Sequence, residues 1–272
     1  PSAAAVDYVA SVQHASATLE HRVFNANIGS TLFDAWGGPV QYNAGFERRH
    51  ERGHFQPDDY LAAGLGRSAA VRPTAGSYTT REFFGEIVVP VVGEKNALPG
   101  LRELTLIGKG RRVDNSVNGE FTAWTGGLQW SPVEGLQLRG NVTRSLRAPS
   151  IVELYMPTAQ IFTQVQDPCS TQIIATGPRP EVRAANCARF FAQYGLPASG
   201  WQSTALTAST QGSITGDPHL RNETANAWTL GFVLRPRRID GLQLAVDWVD
   251  IRIDDAITNL SADDLASACF DN

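Results

Sequence analysis

Apolar side chains recur at every second position along much of this chain, most cleanly at 136–147. There Leu136, Leu138, Gly140, Val142 and Leu146 share one face, against Gln137, Arg139, Asn141, Thr143, Ser145 and Arg147 on the other. Successive strand side chains point to opposite faces, so such a segment has one oily surface and one that carries charge and hydrogen-bonding groups. Arg144 breaks the apolar row near the strand end. Stretches 22–32, 40–49, 79–92, 101–111, 121–130 and 224–234 read the same way, as does a last one from 242, where Leu242, Leu244, Val246 and Trp248 oppose Gln243, Ala245 and Asp247. Beyond Trp248 the apolar phase moves to Val249, Ile251 and Ile253, which predicts a bulge or the end of an apolar band. Residues 1–20 do not alternate and are expected as a short helix or a loop.

The connections are unequal. Turn punctuation marks 33–39, 93–100, 131–135 and 235–241 as short links. By contrast, 51–77 is a polar connection of some thirty residues, 112–119 is a moderate loop, and 148–221 is a very long insertion. Alternate connections of an antiparallel meander lie at the same end, so the long ones all fall on one side. Transmembrane barrels segregate their loops in this way, with lipid outside and a polar lumen inside. A soluble β-sandwich has no such need. Trp36 and Trp130, at or beside short turns, suit an interfacial aromatic belt.

Composition favours the barrel. Charged residues make up 18% and hydrophobic residues 42%, with 25 Gly. No run approaches the ~20 apolar residues of a membrane helix. A membrane chain without one must close a barrel, because lipid gives backbone groups no partners. A formal net charge of −4 argues against nucleic acid as a partner. Cys169 and Cys187 could close a loop of about 19 residues, a bridge worth roughly 3 kcal/mol and durable in an oxidising compartment. Cys269 then has no mate, and the expectation is that its partner lies beyond residue 272. Buried free thiols are the alternative reading.

SLRAPSIVELY (145–155), DPC (167–169) and the second cysteine at Cys187 resemble the TonB-dependent outer-membrane receptors. DPHLRNETANAWTLGFVLRP (217–236) is similar to a strand start of that family, with Asp217 and Asn222 as departures. LQLAVDWVDIRIDDAI (242–257), GGPVQYNAGFERRHER (37–52) and REFFGEIVVPVV (81–92) also look like its strands. The family's plug, its energy-coupling box and its closing strands are not among these residues, so a piece of a longer chain is expected. The resemblance implies an all-β, antiparallel up-and-down transmembrane β-barrel of 22 strands, of which residues 1–272 hold about eight. It further implies long extracellular loops (148–221 among them), a Gram-negative outer membrane, lipid around the barrel, and a scarce nutrient as ligand. Energy would come from the TonB–ExbB–ExbD complex acting through the plug. A passive porin and a soluble secreted β-sandwich binding module are the alternatives.

No G-x-S-x-G, H-E-x-x-H, P-loop or dinucleotide motif occurs, so an enzyme is disfavoured and no catalytic residue, metal site or cofactor is assigned. His50 and His54 are four apart but sit in a polar stretch. The motif residues Arg147, Ala148, Pro149, Ser150, Glu153, Leu154 and Glu223 read as structural, with Pro149 ending strand pairing. For the nutrient, the aromatic and arginine content of the insertion singles out Tyr155, Phe162, Arg183, Arg189, Phe190, Tyr194 and Trp201, which suit stacking and charge. A mini-core of the loop itself is the competing role for each aromatic. Residues 261–270 read as a capped helix, with Ser261 and Asp264 forming its box.

Overall fold

The alternating stretches form strands, and each pairs with the next. The computed structural model describes every residue except 67, 68, 198, 199 and 240, with the backbone alone at 206. In chain order the elements begin with α1 (Ala3–Val9), β1 (Ala15–Ala35), β2 (Gly38–Pro57), α2 (Asp59–Ala62), β3 (Thr74–Val92), β4 (Glu103–Asn115), β5 (Gly119–Val133) and β6 (Leu136–Arg147). The insertion contributes α3 (Ile151–Tyr155), β7 (Ala159–Thr163), α4 (Pro180–Tyr194) and β8 (Thr210–Ile214). After it come β9 (Glu223–Leu234), β10 (Leu244–Asp254) and α5 (Ala262–Asp271). One antiparallel sheet takes the order β1-β2-β3-β4-β5-β6-β9-β10, and β7 pairs only with β8. The sheet is open, a part of a barrel, with β1 and β10 each paired on one side.

All eight expected barrel strands are present, but several run longer than the apolar pattern. β1 begins at Ala15, β2 continues to Pro57, and β3 starts at Thr74, which shortens the 51–77 connection to 58–73. Residues 67 and 68 of that connection and residue 240 of the 235–241 turn lie outside the described residues. The 112–119 loop is instead a tight turn, because the Asn115 carboxamide oxygen accepts from the amides of Val117 (2.9 Å) and Asn118 (3.2 Å). No bulge follows Trp248: pairing of β10 with β9 runs unbroken from Leu244↔Leu234 to Asp254↔Thr224. The change of phase there marks the end of the apolar band.

Register sorts the side chains into two faces. One carries Phe46, Phe83, Leu106, Leu128, Leu138 and Leu230. These rows stand open: Trp228 is 56% exposed and Leu230 57%. A sandwich would bury them against a second sheet. On β3 the apolar run extends from Phe83 to Val89 and on β9 from Trp228 to Leu234, roughly seven residues. At ~3.3 Å per residue this is about 23 Å, against the ~25 Å band of transmembrane barrels. No described helix is long and apolar enough to cross a membrane.

Candidate functional site

The two long connections leave the sheet at one end, and the chemistry-bearing residues gather there. Arg147 closes β6 and is the hub. Its Nε lies 2.5 Å from Glu223 Oε2 at the start of β9, and its Nη1 lies 3.0 Å from Glu153 Oε2 on α3. Glu223 Oε1 also accepts the amide of Ile257 (2.7 Å), just past β10. Two motif carboxylates distant in sequence thus converge on one guanidinium. Ser150 caps α3 reciprocally with Glu153: the Ser150 amide donates to Glu153 Oε2 (2.7 Å), and Ser150 Oγ accepts the Glu153 amide (3.3 Å). The Arg147 guanidinium and these caps hold the Glu153 carboxyl below its ordinary value. Pro149 and Leu154 are fully buried, and Ala148 is half-buried.

Helix α3 does not stay over β6. It reaches to β2 and β3, where Gly53 and Gly76 face each other in register. Ile151 Cγ2 lies 3.1 Å from where a Cβ on Gly53 would be, and the Tyr155 ring fills the place of any side chain at 76. The Tyr155 hydroxyl donates to Ser77 O (3.4 Å). Two missing side chains therefore make a notch that seats the helix on the lumen-side face.

Beyond α3 the insertion builds its own core. Cys169 and Cys187 form a disulfide (Cα–Cα 5.4 Å), packed with Phe191 and flanked by Ile174, Leu196, Trp201 and Phe270. Arg183, Cys187 and Phe191 recur every fourth residue along the buried side of α4. The helix starts with Pro180 and stops at Gly195, whose φ of +66° suits the left-handed cap. Helix α5 docks on it. Arg183, 3% exposed, forms a two-pronged pair with Asp271 (Nε–Oδ1 and Nη2–Oδ2 both 2.5 Å). Asn186 Nδ2 donates to Phe270 O (2.8 Å). Arg183 holds the Asp271 carboxyl below its ordinary value, and Asp271 in turn raises the guanidinium. As expected from its box, α5 is capped by Ser261 and Asp264. Cys269 on it is exposed and unbridged.

The residues singled out for ligand contact divide between these settings. Arg183 and Trp201 serve the mini-core: the first is spent on Asp271, and the second packs on Phe191 (5.6 Å between centroids) with its Nε1 donating to Asp167. Tyr155 occupies the glycine notch. Phe190 and Tyr194 stack at 4.7 Å on the outer side of α4, Phe190 also meets Phe270 edge-on at 5.6 Å, and Arg189 beside them is exposed. Phe162, on the β7–β8 hairpin, is 61% exposed, as is Tyr194. Among the described residues, no group of three or more His, Cys, Asp or Glu side chains gathers in a metal-holding cluster.

The lumen-side face also holds ion pairs that the sequence reading did not single out as a group. Glu47 pairs with Arg49 (2.6 Å), Glu82 with Arg111, Glu86 with Lys109 (3.0 Å) and Arg139 with Asp247 (2.5 Å). The last pair reaches across β9, where Gly231 leaves room for it. The polar half of each alternating strand was the available signal, but only register puts these partners opposite one another.

The family model described as TonB dependent receptor-like, beta-barrel matches residues 6–270. No curated protein matches the chain. Among solved structures, a variant of the ferric enterobactin receptor PfeA from Pseudomonas aeruginosa, in complex with enterobactin, is similar at a TM-score of 0.55 and 16% identity, over 87% of this chain and 27% of that one. The siderophore receptor PirA from Acinetobacter baumannii gives 0.52 and 14%, over 86% and 27%. PirA from Pseudomonas aeruginosa gives 0.51 and 16%, over 86% and 32%. At such identities the likeness is one of fold, and the chain spans no more than a third of each neighbour's length.

Proposed function

Because the chain belongs to the TonB-dependent receptor β-barrel family, we propose that it forms part of the barrel wall and extracellular surface of an active nutrient receptor in a Gram-negative outer membrane. The observation that carries this reading is the pairing of two opposite faces. Apolar rows stand open on one, carboxylate–guanidinium pairs line the other, and a disulfide-stapled loop module (148–221) rises at one end. In such a receptor the barrel supplies a scaffold and a polar path, the loops capture the nutrient, and TonB–ExbB–ExbD pulls through a plug supplied elsewhere in the protein. No bond-making chemistry is assigned to it.

Siderophore-bound iron is the ligand class we favour, in keeping with the names of the structural neighbours. The exposed Phe190–Tyr194 stack with Arg189, together with Phe162, suits a flat aromatic and anionic ligand held by stacking and charge. The test is binding of ferric enterobactin to the full-length protein in detergent, followed by tryptophan quenching. Replacing Phe162, Phe190 and Tyr194 together by Ala is expected to weaken binding by at least ~10-fold, since anchors of this type each contribute more than about 1 kcal/mol. Unchanged affinity in the triple variant would remove the loop surface from the reading, and no binding by the parent protein would remove the ligand class.

A further inference from the structure

Three short connections meet at one corner of the lumen-side face, at the end opposite the loop module. Arg102 precedes β4, Glu134 and Gly135 turn β5 into β6, and Arg235 and Arg237 follow β9. Gly135 takes a left-handed φ of +84°, and a Cβ there would meet the Arg235 carbonyl. The bare backbone lets these two turns touch, and the Arg235 amide donates to Gly135 O (2.6 Å). On the other side the Arg102 amide donates to Ser131 O (3.0 Å). Between them lies a recess of about 350 Å³, apolar on one flank through Val133 and Val233, with the guanidinium residues Arg102, Arg235 and Arg237 on the other. Carboxylates are in short supply here. Glu134 serves both Arg102 (2.9 Å) and Arg237. Glu103 stands 4.0 Å from Arg102, at the limit of an ion pair. Arg235 Nε donates to Gln243 Oε1 (3.0 Å), a neutral acceptor, and among the described residues it meets no carboxylate. The next acid on β10, Asp247, is taken by Arg139. Arg238 and Asp240, later in the same turn, carry opposite charges and leave this balance unchanged; Asp240 lies outside the described residues.

We propose that this corner is an anion-binding subsite at the short-turn mouth of the lumen, taking a compact solute that carries carboxylate or phosphate oxygens. The inference rests on the receptor reading above, in which the lumen is a path. Each guanidinium offers several N–H donors in a flat fork that matches such oxygens two at a time. Glu134 divides its oxygens between two of them, and Arg235 spends a donor on an amide, so all three keep donors for a guest. Glu134 also holds two like charges together before the anion arrives, which lowers the ordering cost of binding. An anion placed here gains charge-assisted bonds, roughly twice as strong as neutral ones. The volume lies at the low end of small-molecule sites, roughly 300–1,000 Å³, which limits the guest to a small one. Cargo captured at the loop end thereby finds a second foothold where it leaves.

The experiment uses the full-length protein in detergent, with citrate as the probe. Phenylglyoxal modifies guanidinium groups, and mass spectrometry reads the rate at each arginine. Citrate at about ten times its Kd is expected to slow modification of Arg102 and Arg235 by roughly tenfold, by mass action. Arg48, exposed on the outer wall, should react at an unchanged rate. Replacing Arg102→Gln and Arg235→Gln together is expected to weaken citrate binding in calorimetry by at least ~10-fold, as for lost hydrogen bonds to a charged group. Arg22→Gln, on the outer wall, should leave it as in the parent. Footprinting needs no substitution, so it reads the site even if the double variant misfolds. Equal rates with and without citrate would overturn the proposal. So would finding Arg102 and Arg235 already shielded before citrate is added, which would assign the corner to another segment of the protein. Protection in a parent that does not bind ferric enterobactin keeps the subsite and removes only the nutrient class. No protection in a parent that does bind it removes the subsite alone.

Discussion

The sheet and the loop module sit in one chain but reach stability by opposite routes. Strands β1–β6, β9 and β10 bury few large apolar side chains; Phe83, Trp228, Leu230 and Ile251 all stand open. Their order comes from ladder hydrogen bonds and lumen-side ion pairs, while the apolar burial must come from lipid and from further strands. The loop module has what the sheet lacks: a buried disulfide, an aromatic cluster around Phe191 and a buried Arg183–Asp271 pair. One part depends on its surroundings and the other is self-contained. Hydropathy alone would assign them the reverse, since the sheet is the oilier part.

The sharpest way to break this contrast is to remove the surroundings. Residues 1–272 expressed alone present two free sheet edges, which lipid does not tolerate and which aggregate in water. Sedimentation should find the isolated chain in large assemblies, and robust heat-modifiable gel migration would contradict this. The next largest effect is local. Replacing Cys169 and Cys187 by Ser should cost the loop module roughly 3 kcal/mol, seen as faster hydrogen exchange in α4 with β5 and β6 unchanged; loss of protection in the strands as well would deny the module its independence. A smaller effect, about 1–3 kcal/mol of overpacking, is expected for Gly76→Val, which evicts Tyr155 and should raise exchange in α3 first.

Acid should also loosen the module. The Asp271 carboxyl titrates below its ordinary value of 3.8 because Arg183 holds its charged form. The pair therefore contributes fully above that ordinary value, and its contribution is lost as pH falls through the lower, folded value. Exchange in α5 should rise only below about pH 4, and Asp271→Asn should move that rise to neutral pH. Smallest of all, Phe162→Ala and Tyr194→Ala should change stability by no more than ~0.5 kcal/mol, as for exposed sites. A larger loss for either would mean that the side chain packs rather than waits for ligand.

Within the apolar band the strands were legible residue by residue, because lipid on one side and water on the other enforce a period of two. Above the band that contrast vanishes. Around Arg48–Arg52 and Arg112–Asn115 both faces are polar, so the ends of β2 and β4 read as loop although their ladders continue. Helix α3 carried a readable sign in its Ser150–Glu153 box, overshadowed by Pro149. Helix α4 has no side-chain cap at Arg179, leaving the four-residue spacing of Arg183, Cys187 and Phe191 as its only clear signature. Of the convergence of Arg147 on Glu153 and Glu223, only the three structural motif residues themselves were visible. Glu223 lies 76 residues away along the chain, and only the long-range register of β6 with β9 brings it there.

The seat of Ile151 and Tyr155 at Gly53 and Gly76 gives the insertion a mechanical part. The linker leaves at β6, anchors itself on Arg147, and grips the wall three strands away, so it works as a tie rod across an arch. Any widening of the mouth on this side has to pull Tyr155 from its socket before the strands can spread.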